Sequence, residues 1–165
     1  MSDILLRRWS ESDAGLLHRG NTPDMTVHIG GPETEAQVAA RHERYLRLWE
    51  TQEARCFVVV DGSEPLGAIC SWKTTWRDQD VFEAGWFIVP EAQGRGAGSA
   101  ALTLLIDDAR AHDDGRRLLT AFPDENNAPS NALCRNTGFT LTGQRADVFR
   151  GATLMMNEWV FDLQS

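Results

Sequence analysis

The chain has 165 residues, of which 42% are hydrophobic and 24% are charged, the composition of an ordinary globular protein. This length predicts a single domain over residues 1–165 with a sizeable hydrophobic core. No run of about 20 apolar residues occurs, so no membrane-spanning segment is predicted, and the formal net charge of −8 argues against nucleic-acid binding while mildly favouring cationic partners such as protonated amines.

The cysteines and the first residues indicate the compartment. The chain contains Cys56, Cys70 and Cys134, whose number is odd and whose spacing does not fit a metal site. We therefore predict free thiols, a reducing cytoplasm and no bound metal. The first nine residues, MSDILLRRW, contain no long apolar core after their charges, so no signal peptide is predicted.

The first third of the chain is predicted to form one strand and two helices. Residues 4–9 mix apolar and basic side chains and predict a strand, and residues 14–19 predict a short helix behind several N-cap candidates. Residues 20–32 are rich in glycine and proline and predict a loop, whose apolar residues either cover a site or pack on the core. An apolar face at helical spacing predicts a helix over residues 34–50, with His42 at the edge of the core rather than in catalysis.

Three antiparallel strands are predicted in the middle of the chain. Residues 56–60 and 66–72 are apolar runs separated by an Asp-Gly turn, which predicts a hairpin. Residues 73–80 predict the connection to the third strand. Residues 81–89 are rich in β-branched and aromatic side chains and have no polar residue after Glu83, so they predict a buried strand.

A glycine-rich loop follows the third of these strands. Glycine occupies positions 94, 96 and 98, and a helical pattern of apolar residues comes after them. This arrangement directs backbone N–H groups and the positive end of a helix dipole at an anion, and Arg95 adds a cation. No Gly-Lys pair occurs, which excludes a P-loop, and Ser99 replaces the last glycine of a dinucleotide-binding GxGxxG motif. The loop therefore predicts a phosphate ligand of another class.

The segment QGRGAG resembles the Q/R-x-x-G-x-G/A motif of the GCN5-related N-acetyltransferases (the GNAT family), which holds the pyrophosphate of acetyl-CoA. The longer segment EAGWFIVPEAQGRGAG is similar in spacing to the signature of the Rim-type branch, which acetylates the N-termini of ribosomal proteins. The resemblance implies an α/β (α+β) fold with a mixed, mostly antiparallel sheet of six to seven strands flanked by about four helices. It also implies an acetyl-CoA site formed by Trp86, Phe87 and Ile88 along the pantetheine arm, by Gln93, Gly94, Arg95, Gly96, Ala97, Gly98 and Ser99 at the pyrophosphate, and by Asn127.

The last third of the chain is predicted to add a strand, a helix and a terminal hairpin. Residues 118–122 predict the strand, and residues 126–136 predict the helix, with Asn127 as an N-cap candidate. The pattern N-x-x-S…G-F over residues 127–139 resembles the closing motif of Rim-type enzymes. The remaining segments predict strands of a hairpin around residues 150–152: 139–144, 147–150 and 154–163.

Acetyl transfer to an amine requires a base, a polarised carbonyl and a proton for the departing thiolate. Glu83 is the candidate base, because a carboxylate in an apolar strand loses solvation and its pKa rises. On the resemblance, the backbone N–H of Ile88 contacts the thioester. Many family members carry a tyrosine acid seven residues after the equivalent of Asn127, but here that residue is Cys134, for which core packing is favoured. Ser130, one helical turn earlier, is predicted to stabilise the thiolate, with water supplying the proton.

These features predict an acetyl-CoA-dependent N-acetyltransferase that acts by direct transfer. The acceptor is a primary amine: a protein N-terminus, as the Rim-type resemblance suggests, or a small amine such as an aminoglycoside, a polyamine or an amino acid. Trp72, Trp76 and Trp86 either line the acceptor pocket or fill the core. The alternative is a non-catalytic acyl-CoA-binding regulator, since the usual tyrosine is missing. Assembly as a homodimer is also left open.

Overall fold

A computed structural model describes residues 3–165, so the first two residues of the predicted domain lie outside the described residues. The described chain forms seven strands and four α-helices. In chain order these are β1 (Ile4–Arg8), α1 (Ala14–Gly20), α2 (Glu35–Thr51), β2 (Ala54–Asp61), β3 (Glu64–Trp76), β4 (Gln79–Ile88), α3 (Ala97–Ala111), β5 (Leu118–Ala121), α4 (Ala128–Asn136), β6 (Thr140–Phe149) and β7 (Ala152–Asp162). The predicted α/β class and its numbers of strands and helices are confirmed.

The strands form one sheet in the order β1-β2-β3-β4-β5-β7-β6. β4 and β5 run parallel, and the other neighbouring pairs within residues 3–165 are antiparallel. Helix α3 makes the connection between β4 and β5, because parallel neighbours need a long crossover. The mixed, mostly antiparallel sheet that the resemblance implies is therefore confirmed, as are the three antiparallel strands before the glycine loop.

The helices cover both faces of the sheet. Trp86 and Phe87 are successive residues of β4, so their side chains point to opposite faces. A Cβ atom on Gly20, at the end of α1, would lie 2.7 Å from the Phe87 ring, whereas Trp86 Nε1 donates to Ser130 Oγ of α4 at 3.3 Å. Since α2 packs on α1 and α3 packs on α4, α1 and α2 lie on one face and α3 and α4 on the other.

The apolar core fills both layers between the sheet and the helices. Its fully buried aliphatic side chains come from the strands and from helices on each face, and include Leu17, Val58, Val59, Leu102 and Leu105. His42 accepts a hydrogen bond from Trp9 Nε1 at 3.0 Å, in agreement with its predicted place at the edge of the core. No helix between residues 3 and 165 combines the length and the apolar character needed to cross a bilayer.

The predicted connection over residues 73–80 is wrong, because most of it continues two strands. β3 runs on to Trp76 and β4 begins at Gln79. Only Arg77 and Asp78 lie between them, with φ angles of +47° and +62°, which is the backbone of a two-residue hairpin turn. Neither residue is a glycine, so the composition of the segment did not indicate so tight a turn.

The terminal hairpin also differs from its prediction. The two short strands predicted over residues 139–144 and 147–150 form one continuous strand, β6. β6 is an edge strand whose side chains alternate between exposed and half-buried positions, so it lacks the apolar run that marks a buried strand. Arg150 and Gly151 make the predicted turn into β7, both with positive φ.

The sheet opens between β4 and β5. These strands pair only from Phe82 to Ala84 of β4, and β5 then ends at Ala121, while β4 continues to Ile88. On its other side β4 stays paired with β3 in an unbroken register from Gln79 to Ile88. The sheet therefore opens here because β5 is short.

The pairing of β3 with β4 depends on a glycine, which gives a test of the fold. A Cβ atom on Gly67 would lie 2.1 Å from the carbonyl oxygen of Phe87, well inside van der Waals contact. Gly67→Ala is expected to lower the free energy of unfolding by about 2–4 kcal/mol, measured by urea denaturation. The matched control is Gly15→Ala in helix α1, whose Cβ would meet no atom within 4 Å and should change stability by less than about 1 kcal/mol. Equal stability of the two variants would contradict this account of β3 and β4.

Candidate functional site

A cavity of about 370 Å³ lies where β4 and β5 separate. On the α1 and α2 face its floor consists of directly paired residues of β3 and β4, namely Ala68 with Phe87, Cys70 with Gly85 and Trp72 with Glu83. Through the opening in the sheet it reaches Trp86, Asn127 and Ser130 on the opposite face. The cavity thus brings together five predicted site residues: Glu83, Trp86, Phe87, Asn127 and Ser130.

Glu83 lies half-buried on the floor of the cavity. Burial raises the pKa of its carboxyl group to about 7, while Arg145 lowers this pKa and Asp147 raises it. Within residues 3–165 no side chain or backbone group hydrogen-bonds to this carboxylate. Its lone pairs are therefore free to accept a proton from a molecule in the cavity, at a pH near neutrality.

The opening exposes backbone groups of β4. Successive residues of a strand direct their N–H and C=O groups to opposite sides. The carbonyl of Phe82 faces β5, since it accepts from Thr120 Oγ1 at 2.9 Å, so the backbone groups of Trp86 and Ile88 face the same way, beyond the end of β5. The Ile88 carbonyl accepts from Gln93 Nε2 at 2.9 Å, and its N–H remains directed at the opening, in line with the predicted backbone contact at this residue.

Helix α4 forms a polar wall of the site, opposite the face that carries Glu83. Asn127 is its N-cap, and its side chain accepts from the Ser130 backbone N–H at 3.2 Å. Ser130 Oγ accepts from Trp86 Nε1, which leaves the hydroxyl proton free to be donated into the cavity. Cys134 is fully buried and does not line the cavity; burial raises the pKa of its thiol to about 12. The packing role predicted for this cysteine agrees with its position.

The glycine loop lies outside the lining of the cavity, at the end of β4. Gly94 and Gly96 adopt φ angles of +80° and +76°, which only glycine adopts freely, and Gly96 is the N-cap of α3. The first helical bond of α3 is donated by Ala100 to Gly96, so the N–H groups of residues 97–99 are the free donors of a helix N-terminus. Arg95 stands beside them, 3.7 Å from Glu64. This loop has the donors and the open space that a diphosphate requires.

Part of the loop predicted over residues 20–32 covers the cavity, which is one of the two alternatives left open for it. Its apolar residues Met25 and Ile29 line the cavity together with Thr26 and His28, two polar residues that the sequence analysis missed. His28 Nδ1 lies 3.1 Å from Asp124 Oδ2. Within the sequence these two residues are 96 positions apart, and neither belongs to a motif that could have indicated the contact.

The aromatic residues divide between the cavity and the core. Trp72 and Trp86 line the cavity, as does Tyr45 from α2, the only tyrosine of the chain. Burial raises the pKa of the Tyr45 hydroxyl well above its usual value. Trp76 is instead buried, and its Nε1 donates to Glu158 at 2.7 Å. Two of the three tryptophans named for the acceptor pocket are therefore in place to form it.

Replacement of Ser130 tests the role of helix α4. For the acetyl transfer that the sequence predicts, Ser130→Ala is expected to lower kcat about tenfold, the worth of one hydrogen bond to a developing charge, with little change in the KM for acetyl-CoA. Cys134→Ser is the control on the same helix and should leave the kcat of folded protein within about twofold of the wild type, because its side chain does not reach the cavity. Steady-state kinetics that reverse the two effects would assign the role to Cys134.

Comparison with known proteins agrees with this geometry. The sequence model of the family described as acetyltransferase (GNAT) domain matches residues 3–140. The L-methionine sulfoximine/L-methionine sulfone acetyltransferase of Salmonella typhimurium is 34% identical over 92 residues, which are 52% of this chain and 53% of that protein. The chain thus matches about half the length of this curated relative.

Solved structures share the fold over nearly the whole chain. The ribosomal-protein-S5-alanine acetyltransferase of Vibrio fischeri superposes with a TM-score of 0.81 at 18% identity, covering 100% of this chain and 96% of that one. The spermidine N-acetyltransferase of Vibrio cholerae, solved with CoA and spermine, has a TM-score of 0.81 at 17% identity, covering 98% and 96%. The match of the family over residues 3–140, together with the glycine loop and the open sheet, shows that the chain belongs to the GNAT acetyltransferase family.

Proposed function

We propose that this protein is an N-acetyltransferase that moves the acetyl group of acetyl-CoA directly to a primary amine. The observation that carries the proposal is the position of Glu83, whose pKa of about 7 suits a base at neutral pH. Its carboxylate lies in the cavity at the opening of the sheet, on the strand that leads into the glycine loop.

The residues around the opening fit acetyl-CoA. The loop N–H groups of residues 94–99 and Arg95 would hold the pyrophosphate, because they combine free donors, positive charge and no Cβ at Gly94 or Gly96. Trp86, Phe87 and Ile88 would flank the pantetheine arm along the part of β4 that is not paired with β5, and Asn127 would flank it from α4. When bound, acetyl-CoA supplies the activated acetyl group.

The side chains in the cavity have separate tasks in this mechanism. Glu83 takes a proton from the protonated amine, directly or through water, which makes the amine a nucleophile. The N–H of Ile88, directed into the opening, would donate to the acetyl oxygen as negative charge develops on it. As the bond from nitrogen to the acetyl carbon forms and the carbon–sulfur bond breaks, the Ser130 hydroxyl would donate a hydrogen bond to the sulfur. The nitrogen would lose its second proton to water, and water would supply the proton that the thiolate takes up, since a serine hydroxyl is a weak acid.

The acceptor class is restricted to primary amines. The relatives cover three classes of acceptor: the Salmonella protein is named for amino-acid analogues, and the two solved structures are named for a ribosomal protein and a polyamine.

The compartment that we propose is the cytoplasm, supported by three buried free cysteines. Assembly as a homodimer is kept as a proposal that light scattering at micromolar concentration would test.

Thiol release from acetyl-CoA tests the proposed function. The purified protein is incubated with acetyl-CoA and a panel of amino acids, polyamines, aminoglycosides and short peptides, and free CoA is measured with a thiol reagent. Amine-dependent CoA release by the wild type, reduced in Glu83→Gln, would support the proposal. Tight binding of acetyl-CoA without turnover on any amine would favour the non-catalytic regulator instead.

A further inference from the structure

A second cluster of charges lines the cavity and has no role in the mechanism above. It consists of Arg41 on α2, Glu33 just before α2, and Arg150 at the turn between β6 and β7. Arg41 Nη2 lies 2.8 Å from Glu33 Oε1, and Arg150 Nη2 lies 3.7 Å from Glu33 Oε2. The three side chains are only 20%, 26% and 12% exposed for Arg41, Arg150 and Glu33, so their charges are poorly screened by water.

The charges of this cluster do not balance. Two guanidinium groups face one carboxylate, which leaves one positive charge in excess at the wall of the cavity. Arg150 also donates to the backbone carbonyls of Ile29 and Gly31, which are neutral acceptors. The other two acids that line the cavity make no ion pair with these arginines among residues 3–165, since Asp124 contacts His28 and Glu83 lies on β4. An excess guanidinium charge at the wall of a cavity favours an anionic ligand, and a carboxylate pairs well with it.

Arg41 has a donor that the fold leaves unused. Its Nε–H is buried and has no hydrogen-bond acceptor among residues 3–165. Glu33 Oε1 lies 2.8 Å from Arg41 Nη2, but it accepts no hydrogen bond of good geometry from any group in residues 3–165. Both side chains of this ion pair therefore keep an unused hydrogen-bonding atom. Buried polar atoms are nearly always paired in folded proteins, and a guanidinium group pairs best with a carboxylate.

We propose, on the basis of the proposed function, that the acceptor is a small amine that also carries a carboxylate, as a free α-amino acid does. Its carboxylate pairs with Arg41 and balances the second guanidinium charge, while its amine lies toward Glu83. The two groups line one cavity of about 370 Å³, a size typical of small-molecule sites. Polyamines and protein N-termini lack the carboxylate next to the reacting amine and are expected to be poor acceptors.

Matched acceptors test this inference on the wild-type protein. Kinetics are measured with three sets of compounds, each an amino acid, its carboxamide and the corresponding decarboxylated amine, with methionine, phenylalanine and alanine as parents. A tetrapeptide and spermidine complete the panel. At least one acid should exceed its amide and its amine by about tenfold or more in kcat/KM. The acidity of the amines works against this result, because the amide has the more acidic ammonium group and is more readily deprotonated at neutral pH. A faster reaction of the acid therefore requires recognition of its carboxylate.

Variants of Arg41 test whether the preference for the acid depends on the charged cluster. Arg41→Gln should lower kcat/KM for the acid by about 10- to 100-fold, chiefly through KM, and leave the amide within about threefold. Arg41→Lys keeps the charge without the planar fork and should recover part of the loss. The matched control is Arg47→Gln, an exposed arginine of the same helix outside this cavity, which should resemble the wild type.

The outcomes separate the acceptor class from the proposed function. Equal kcat/KM for acid, amide and amine, a preference for the peptide or spermidine, or equal losses on all acceptors in Arg41→Gln would overturn the carboxylate site and leave acetyl transfer intact. If no amine releases CoA, the proposed function fails, and calorimetric titration of CoA-loaded protein with the amino acids and their amides decides the site. Binding of the acid alone that is lost in Arg41→Gln would uphold it, and equal or absent binding of both would reject it.

Discussion

Glu83→Gln is expected to lower kcat about 100-fold or more, the usual contribution of a general base, with a much smaller effect on the KM for acetyl-CoA. Glutamine has the same shape as glutamate but cannot accept the amine proton. The carboxylate has no hydrogen-bond partner among the described residues, so the substitution breaks no contact that holds the fold. Asp80→Asn, at an exposed position of the same strand, is the matched control and should keep full activity.

The pH dependence of the rate is a second test of the role of Glu83. Because the pKa of Glu83 is raised to about 7, the carboxyl group is mostly protonated below pH 7 and cannot act as a base. The kcat/KM of the wild type should therefore rise with pH through about 7, and this contribution of the carboxyl group should be absent in Glu83→Gln. The deficit of the variant should shrink at higher pH, where more of the amine is already neutral. Full activity of Glu83→Gln at pH 7 would leave Glu83 with no part in proton transfer.

Gly96→Asp is expected to raise the KM for acetyl-CoA about 100-fold, because it places a side chain and a negative charge at the proposed pyrophosphate site. Gly96 has a φ angle of +76°, and a Cβ atom there would meet no other atom within 4 Å. The folded chain therefore has space for the side chain, and the loss should fall on binding. Gly98→Val should also weaken binding, but a Cβ at Gly98 would lie 3.4 Å from Leu133, so that variant also disturbs the contact of α3 with α4.

Gly96→Asn is the matched control for the charge. Asparagine and aspartate have the same shape and both tolerate positive φ better than other side chains do, so the backbone cost is shared. The KM for acetyl-CoA should be about tenfold higher in the aspartate variant than in the asparagine variant, and thermal melting should be similar for the two. If both folded variants bind acetyl-CoA as the wild type does, the glycine loop is not the pyrophosphate site.

Local signals in the sequence were sufficient for most of the fold. Apolar periodicity and β-branched runs located each of the four α-helices between residues 3 and 165 and the strands of the buried sheet, because burial of one face imposes that pattern. The two errors share a cause. The tight turn at Arg77 and Asp78 contains no glycine, and the edge strand β6 carries an exposed, polar pattern, so neither departs from the composition of a loop.

The glycine loop and the N-cap of α4 could also be predicted, since their chemistry lies within a few consecutive residues. Gly94 and Gly96 adopt the positive φ angles that only glycine takes freely, and Asn127 caps the helix that follows it. Cys134 is fully buried, which agrees with the packing role predicted for it. Its position on the helix could be predicted because it follows from the local spacing of residues.

The sequence by itself thus determined the family, the glycine loop proposed to bind phosphate and the candidate base on β4, all of which depend on neighbours within one strand–loop–helix segment. Only the tertiary structure decided what surrounds that base. The short β5 opens the sheet, the loop before α2 closes the cavity, and Glu33, Arg41 and Arg150 meet there from separate parts of the chain. Such contacts depend on packing between elements far apart in sequence, for which a single sequence carries no periodic or local signal.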